Sequence, residues 1–209
     1  MSHSAMSIRV QAACSEVVWA ARLNAQWIVF TLLGGVLLGL GPATVAAYTL
    51  ARRHAQGESI QGWAAFWGVY RREFVRASLL VLPPAVAAAV LVGNYLYFTA
   101  LGPEGTAWRV ATVVALVALA CVGSYLGPLY VHYDLPLPAY LPKASLLALT
   151  RPASSALLLF VLAAIVFATT AAPLLAPLVS VGAWICLNTW LCLRFFDENE
   201  ARLHSKGNR

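Results

Sequence analysis

The residues in this chain best suited to metal binding or nucleophilic chemistry are four cysteines and four histidines. They are Cys14, Cys121, Cys186 and Cys192, with His3, His54, His132 and His204. Their spacing supports neither chemistry. No CxxC pair occurs, and Cys121, Cys186 and Cys192 fall in long apolar runs, where cysteine behaves as a small hydrophobe. His132-Tyr133-Asp134 reads as a polar cluster closing an apolar run rather than as a ligand pair. Nucleophile-elbow, zinc-helix, phosphate-loop and dinucleotide fingerprints are missing from the sequence. Gly34-Gly35 and Gly39 sit inside an apolar run, not after a strand. An acid–base cluster would have to form near Glu58, His132 and Asp134. The reading predicts no catalytic residue, no metal and no cofactor, and so no enzyme.

Composition sets the elements that remain. Of 209 residues, 61% are hydrophobic and 11% charged, and the mean hydropathy is +0.75. Soluble domains run at roughly 45–50% apolar and about 25% charged. A soluble domain of this length has too little interior for so much apolar surface, and a disordered chain has too little apolar surface to match it. An integral membrane protein is expected. The formal net charge of +6 fits a face against anionic lipid and does not call for nucleic acid.

Stretches free of Lys, Arg, Asp and Glu run over Leu23–Ala51, Ala77–Pro103, Val110–Tyr133 and Pro152–Leu193. A spanning helix takes about 20 residues, so the last run holds two spans, with a turn at Thr169-Thr170-Ala171-Ala172-Pro173. Five helical spans follow, at about 28–50, 77–98, 110–132, 153–170 and 174–194. The fold class is therefore an all-α, polytopic transmembrane bundle, one domain over residues 1–209. Val10, Ala13, Val17 and Ala21 recur at helical spacing and predict an interfacial N-terminal helix; no cleavable signal peptide is evident. Eleven of the 14 Lys and Arg lie in the two larger loops and the C-terminal end, which places these in the cytoplasm. Gly34, Gly35, Gly39, Gly41 and Pro42 leave a second possibility for the first run. A re-entrant hairpin would bring the N-terminus to the same side.

Within the spans, ionisable residues are missing, which argues against proton coupling but leaves a path for a neutral solute open. Gly35-x3-Gly39 and Gly123-x3-Gly127 form small faces suited to close helix packing or to a homo-oligomer seam. Pro42, Pro83-Pro84 and Pro128 predict kinks, with Thr44 a candidate to satisfy the carbonyl that Pro42 frees. Ser59 is a candidate cap for a helix carrying Ile60, Trp63, Phe66, Trp67, Tyr70 and Phe74 at spacings of three and four, followed by Arg71, Arg72, Glu73 and Arg76. That pattern is an amphipathic cytoplasmic helix, either a membrane anchor or a docking surface. Pro136, Pro138 and Pro142 introduce another short helix, from Lys143 to Arg151.

Several of these residues together resemble a known family. Asn24 and Trp27, then Gly41-Pro42-Ala43-Thr44, Arg52-Arg53, Gly57-Glu58, Phe66 and Tyr70-Arg71-Arg72-Glu73-Phe74, are similar to the motifs of the YesL-type membrane proteins (DUF624). Gly127-Pro128-Leu129 and Lys143-Ala144 through Arg151-Pro152 continue the resemblance, which covers roughly residues 20–196. It implies a bacterial inner-membrane protein associated with carbohydrate ABC-type import, without catalytic residues. The expected function is an accessory or scaffold role in such a system. Arg52, Arg53, Gly57, Glu58, Trp63, Phe66, Trp67, Tyr70, Arg71 and Arg72 are the candidate contacts to transporter subunits or membrane lipids. The alternative is an autonomous transporter or channel for a small neutral solute, with a path beside Pro42 and Pro83-Pro84.

Overall fold

The computed structural model describes residues 2–60, 62–173 and 175–207. Eight α-helices follow one another: α1 (Ser2–Leu33), α2 (Leu37–Ala55), α3 (Gly62–Arg72), α4 (Phe74–Ala100), α5 (Thr106–His132), α6 (Leu137–Thr150), α7 (Pro152–Ala171) and α8 (Val181–Gly207). A 3₁₀ turn, Gly102–Gly105, joins α4 to α5, and a π-turn, Ala176–Ser180, leads into α8. The all-α bundle expected from composition is present, and no strand occurs among the described residues.

Four helical stretches are long and apolar enough to cross a membrane: Phe74–Ala100, Gly102–His132, Pro152–Ala171 and Pro177–Phe195. Between 11% and 28% of the most apolar window of each is buried inside the protein, so most of that surface needs lipid as its solvent. Phe160 and Phe167 on α7 illustrate this, at 71% and 74% exposed. α7 ends at Ala171 and the chain turns at Ala172-Pro173, where the sequence places the turn.

The first apolar run departs from the single crossing expected at 28–50. It breaks at Gly34-Gly35-Val36 into the two arms of a hairpin. The Val36 and Gly35 amides donate to the Thr31 and Leu32 carbonyls, which is a Schellman ending with Gly35 at φ 72°. The arms run antiparallel: Trp27 meets Thr44 and Trp19 stacks on His54 at 4.2 Å. Gly34 and Gly39 permit the tight start, since a Cβ on Gly34 would lie 2.3 Å from the Gly39 Cα. The correction has a local cause: consecutive glycines cost helix little to leave and suit the positive φ that reversal requires. The hairpin also absorbs the expected N-terminal interfacial helix, which is the continuous start of α1. Val10 and Val17 of the anticipated stripe stay exposed, while Ala20, Leu23, Asn24 and Phe30 pack inward.

α2 is the hub. Ten of its 19 residues are buried, most of them Gly, Ala or Val. It packs against α1, α3, α4, α5 and α8. Small side chains let these backbones approach. A Cβ on Gly41 would lie 2.6 Å from the Ala77 carbonyl oxygen, and one on Gly127 would lie 2.3 Å from the Tyr48 ring. Of the two small pairs, Gly39 and Gly127 are closely packed, a Cβ on Gly39 lying 2.3 Å from the Thr31 carbonyl oxygen, whereas Gly35 and Gly123 face open space. A second core, of Tyr125, Leu126, Leu129, Tyr140, Leu158 and Cys192, joins α5, α6, α7 and α8.

Candidate functional site

Asn24, Trp27 and Gly41-Pro42-Ala43-Thr44 come together as a structural knot around α2. Asn24 is fully buried. Its Nδ2 donates to the Pro177 carbonyl at 2.5 Å, and its Oδ1 accepts from the Val181 and Gly182 amides at 3.1 Å each. The side chain thus takes the place of the helical bond between residues 177 and 181, which the π-turn opens. Trp27 Nε1 donates to the Thr44 hydroxyl at 3.0 Å. Thr44 is therefore not the residue that mends the break at Pro42. Ser78 of α4 reaches that carbonyl: its single hydroxyl proton is shared between Leu38, at 3.1 Å, and the Phe74 carbonyl of its own helix, at 2.7 Å. Pro128 frees the Ser124 carbonyl in the same way, and buried Asn188 of α8 donates to it at 2.9 Å and to the Tyr48 hydroxyl at 2.7 Å. Pro83 and Pro84 lie within α4, which continues through them.

Most of the charged residues of the loops gather at one end of the bundle, with Glu104 and Arg109 at the other. Arg52, near the end of α2, donates to the Val131 carbonyl at the end of α5. The turn after α2 is a second Schellman ending: Glu58 and Gly57 amides donate to the Arg53 and His54 carbonyls, with Gly57 at φ 78°. This returns Glu58 to Arg53, 2.6 Å away. At the α3–α4 junction Arg72 pairs with Glu73 at 2.9 Å, and Tyr130 donates to the other Glu73 oxygen at 2.8 Å. Arg76 donates to Asp134 and to the Leu135 carbonyl. Arg151 donates to the Phe195 carbonyl, which brings the start of α7 and the end of the last span to this end too. Glu58 and Asp134 are thus engaged with separate arginines. Among the described residues no three His, Cys, Asp or Glu side chains are grouped as a metal set. Tyr130 was not apparent from the sequence. A tyrosine at the end of an apolar run reads as an interfacial anchor, and only the returning α4 reveals its carboxylate partner.

α3 splits the candidate contact residues in two. Phe66 and Tyr70 are buried against Phe30, with ring centroids 4.7 Å and 5.2 Å apart. Burial pushes the Tyr70 phenol above its ordinary pKa. These two are core, not contact surface, because the helix packs onto α1 rather than lying free. Trp63 and Trp67 remain 52% and 41% exposed, and Arg71 sits over the Trp67 ring at 5.6 Å.

Four lipid-facing helices packed on a hairpin whose second arm is the most enclosed helix, with most of the ionic groups drawn to one end, define a multi-pass helical membrane protein. The family model described as "Protein of unknown function, DUF624" matches residues 20–95, from the first arm of the hairpin through most of α4. Relatives extend the match along the chain. The uncharacterized protein YesV of Bacillus subtilis (strain 168) is 32% identical over 202 residues, 94% of this chain and 95% of that protein. The uncharacterized proteins YesL and YteU of the same organism are 31% and 27% identical, over 69% and 87% of this chain and 69% and 82% of theirs. The chain belongs to this YesL-type DUF624 family. No solved structure matches it.

Proposed function

We propose that this protein is a non-catalytic accessory or scaffold component of a membrane transport assembly, with carbohydrate ABC-type import as the system that its family resemblance implies. The observation that carries this reading is α3. Its inner face is locked by Phe66 and Tyr70, which leaves Trp63, Trp67 and Arg71 displayed on a rigid support. Exposed aromatic residues beside arginine are the composition of interface anchors, and holding them in place reduces the ordering cost of binding. In the proposed orientation the polar end and both termini face the cytoplasm of a bacterial inner membrane. Thirteen of the 14 Lys and Arg then lie inside, with only Arg109 beyond the far end. Cross-linking mass spectrometry on cells importing a complex carbohydrate tests the role. Links from Lys143 to permease or ATPase subunits, lost in a Trp63→Ala/Trp67→Ala/Arg71→Glu variant that still inserts, are expected. Self-links alone would contradict it and point to a homo-oligomer.

A second reading, an autonomous path for a small neutral solute, is favoured by one cavity. It measures about 360 Å³ and lies between α2, α4 and α5, beside Thr44, Tyr48, Pro84 and Trp184. Solute flux in liposomes of purified protein would support that reading over the accessory role.

A further inference from the structure

The polar end holds a second cavity, which the docking reading does not use. It measures about 390 Å³ and opens between the end of α2, the turn after it, the α3–α4 junction and the end of α5. Its charged lining is Arg52, Arg53, Glu58, Arg72 and Glu73, with Gln56 beside them. Both carboxylates already have partners: Glu58 holds Arg53, and Glu73 holds Arg72 and the Tyr130 hydroxyl. Arg52 is different. Its Nη1 donates to the Val131 carbonyl, its Nε is buried with no partner, and it makes no ion pair among the described residues. A guanidinium held against protein without a counter-charge is costly, and a bound oxyanion removes that cost. Three arginines against two carboxylates leave the cavity one positive charge in excess. The guanidinium fork matches the oxygens of phosphate. At the end of lipid-facing helices, the abundant oxyanion is a phosphate ester.

We propose that this cavity is a binding site for a phosphate-bearing anion, with Arg52 as its principal donor. The phosphate comes either from a phospholipid headgroup or from a free phosphate ester, and the inference stands whether or not α3 docks a protein. The test uses full-length protein in phosphatidylcholine nanodiscs, titrated with inorganic phosphate and with glycerol 3-phosphate by calorimetry. Native mass spectrometry, after reconstitution in mixed phosphatidylcholine and phosphatidylglycerol, reads retained lipid. Two variants accompany it. Arg52→Gln removes the charge but keeps a donor for Val131, and Gln56→Glu adds a carboxylate at an exposed position. Saturable binding of either probe is expected, weakened about tenfold or more in both variants at unchanged melting temperature. Binding of the soluble probes identifies a free ester as the ligand, and selective retention of phosphatidylglycerol alone identifies a headgroup. The inference is overturned if neither probe binds, or if Gln56→Glu, still folded, binds as the native protein does.

Discussion

Pro42, Pro128 and the π-turn before α8 each open a helix, and each opening is met by a polar side chain from another helix: Ser78, which shares its proton with Phe74 of its own helix, Asn188 and Asn24. In hydrocarbon an unpaired carbonyl has no water to turn to, so these three contacts fix which helices must be neighbours. Asn24→Ala would leave the Pro177 carbonyl and the Val181 and Gly182 amides without their partner. It is expected to destabilise by about 2–3 kcal/mol, since hydrogen bonds between membrane helices contribute ~0.6–2 kcal/mol each; denaturant titration in detergent checks this. Gly41→Ala is expected to cost about 1–3 kcal/mol by overpacking against Ala77 and Ser78, while Gly123→Ala, facing open space, should be near neutral in the same assay. The Gly-Pro-Ala-Thr motif was visible in the sequence, but its partners were not. A proline announces which carbonyl it frees, and nothing local says that a serine many residues later will meet it.

Among the elements, the hairpin and α3 carry the departures from expectation. Leu23–Ala51 is long enough for one span, so length alone could not separate a crossing from a reversal. The deciding feature is conformational. Val36 sits at φ 63°, ψ −67° and closes a γ-turn in which the Leu37 amide donates to the Gly35 carbonyl. A β-branched residue is strained there. Val36→Gly is expected to stabilise the hairpin by about 1 kcal/mol, read as a higher melting temperature; a lowered one would mean that the valine side chain matters more at the tip than the strain. For α3 the spacing of aromatic residues was legible, yet aromatic residues on both sides of a helix do not reveal which side is core. Phe66→Ala is predicted to cost about 3–5 kcal/mol because its ring fills the interior, whereas Trp67→Ala, which removes a half-exposed ring stacked on Phe30 and Tyr70 at 5.7 Å, should cost clearly less and weaken partner cross-linking. Equal effects of the two on stability would show that α3 does not present the face described.

At the scale of the whole molecule, composition made the membrane and the all-α class plain, because no fold of this length buries 61% hydrophobic residues. The loops, the far turn at Ala172-Pro173 and the gathering of arginines were legible for the same reason: charge and proline interrupt apolar runs visibly. The hub was not. α2 carries Gly, Ala, Thr and Tyr among its apolar residues, and ends in arginines, so it looks like a poor span when it is the most enclosed helix of the bundle. Its return beside α1 brings Glu16 to His54, 3.2 Å apart, and so places the start of the chain beside the polar end. That topology underlies both the proposed docking face and the proposed anion site. Cys14 is an exposed native reporter of it. The most direct measurement labels Cys14 and a Gln56→Cys variant with a membrane-impermeant maleimide, in intact spheroplasts and in inverted vesicles, and locates the label by peptide mass spectrometry. Labelling of both sites only in inverted vesicles is the predicted result. Labelling of Cys14 from outside with Gln56→Cys reached only from inside would mean that residues 23–51 cross the membrane, and would contradict the hairpin.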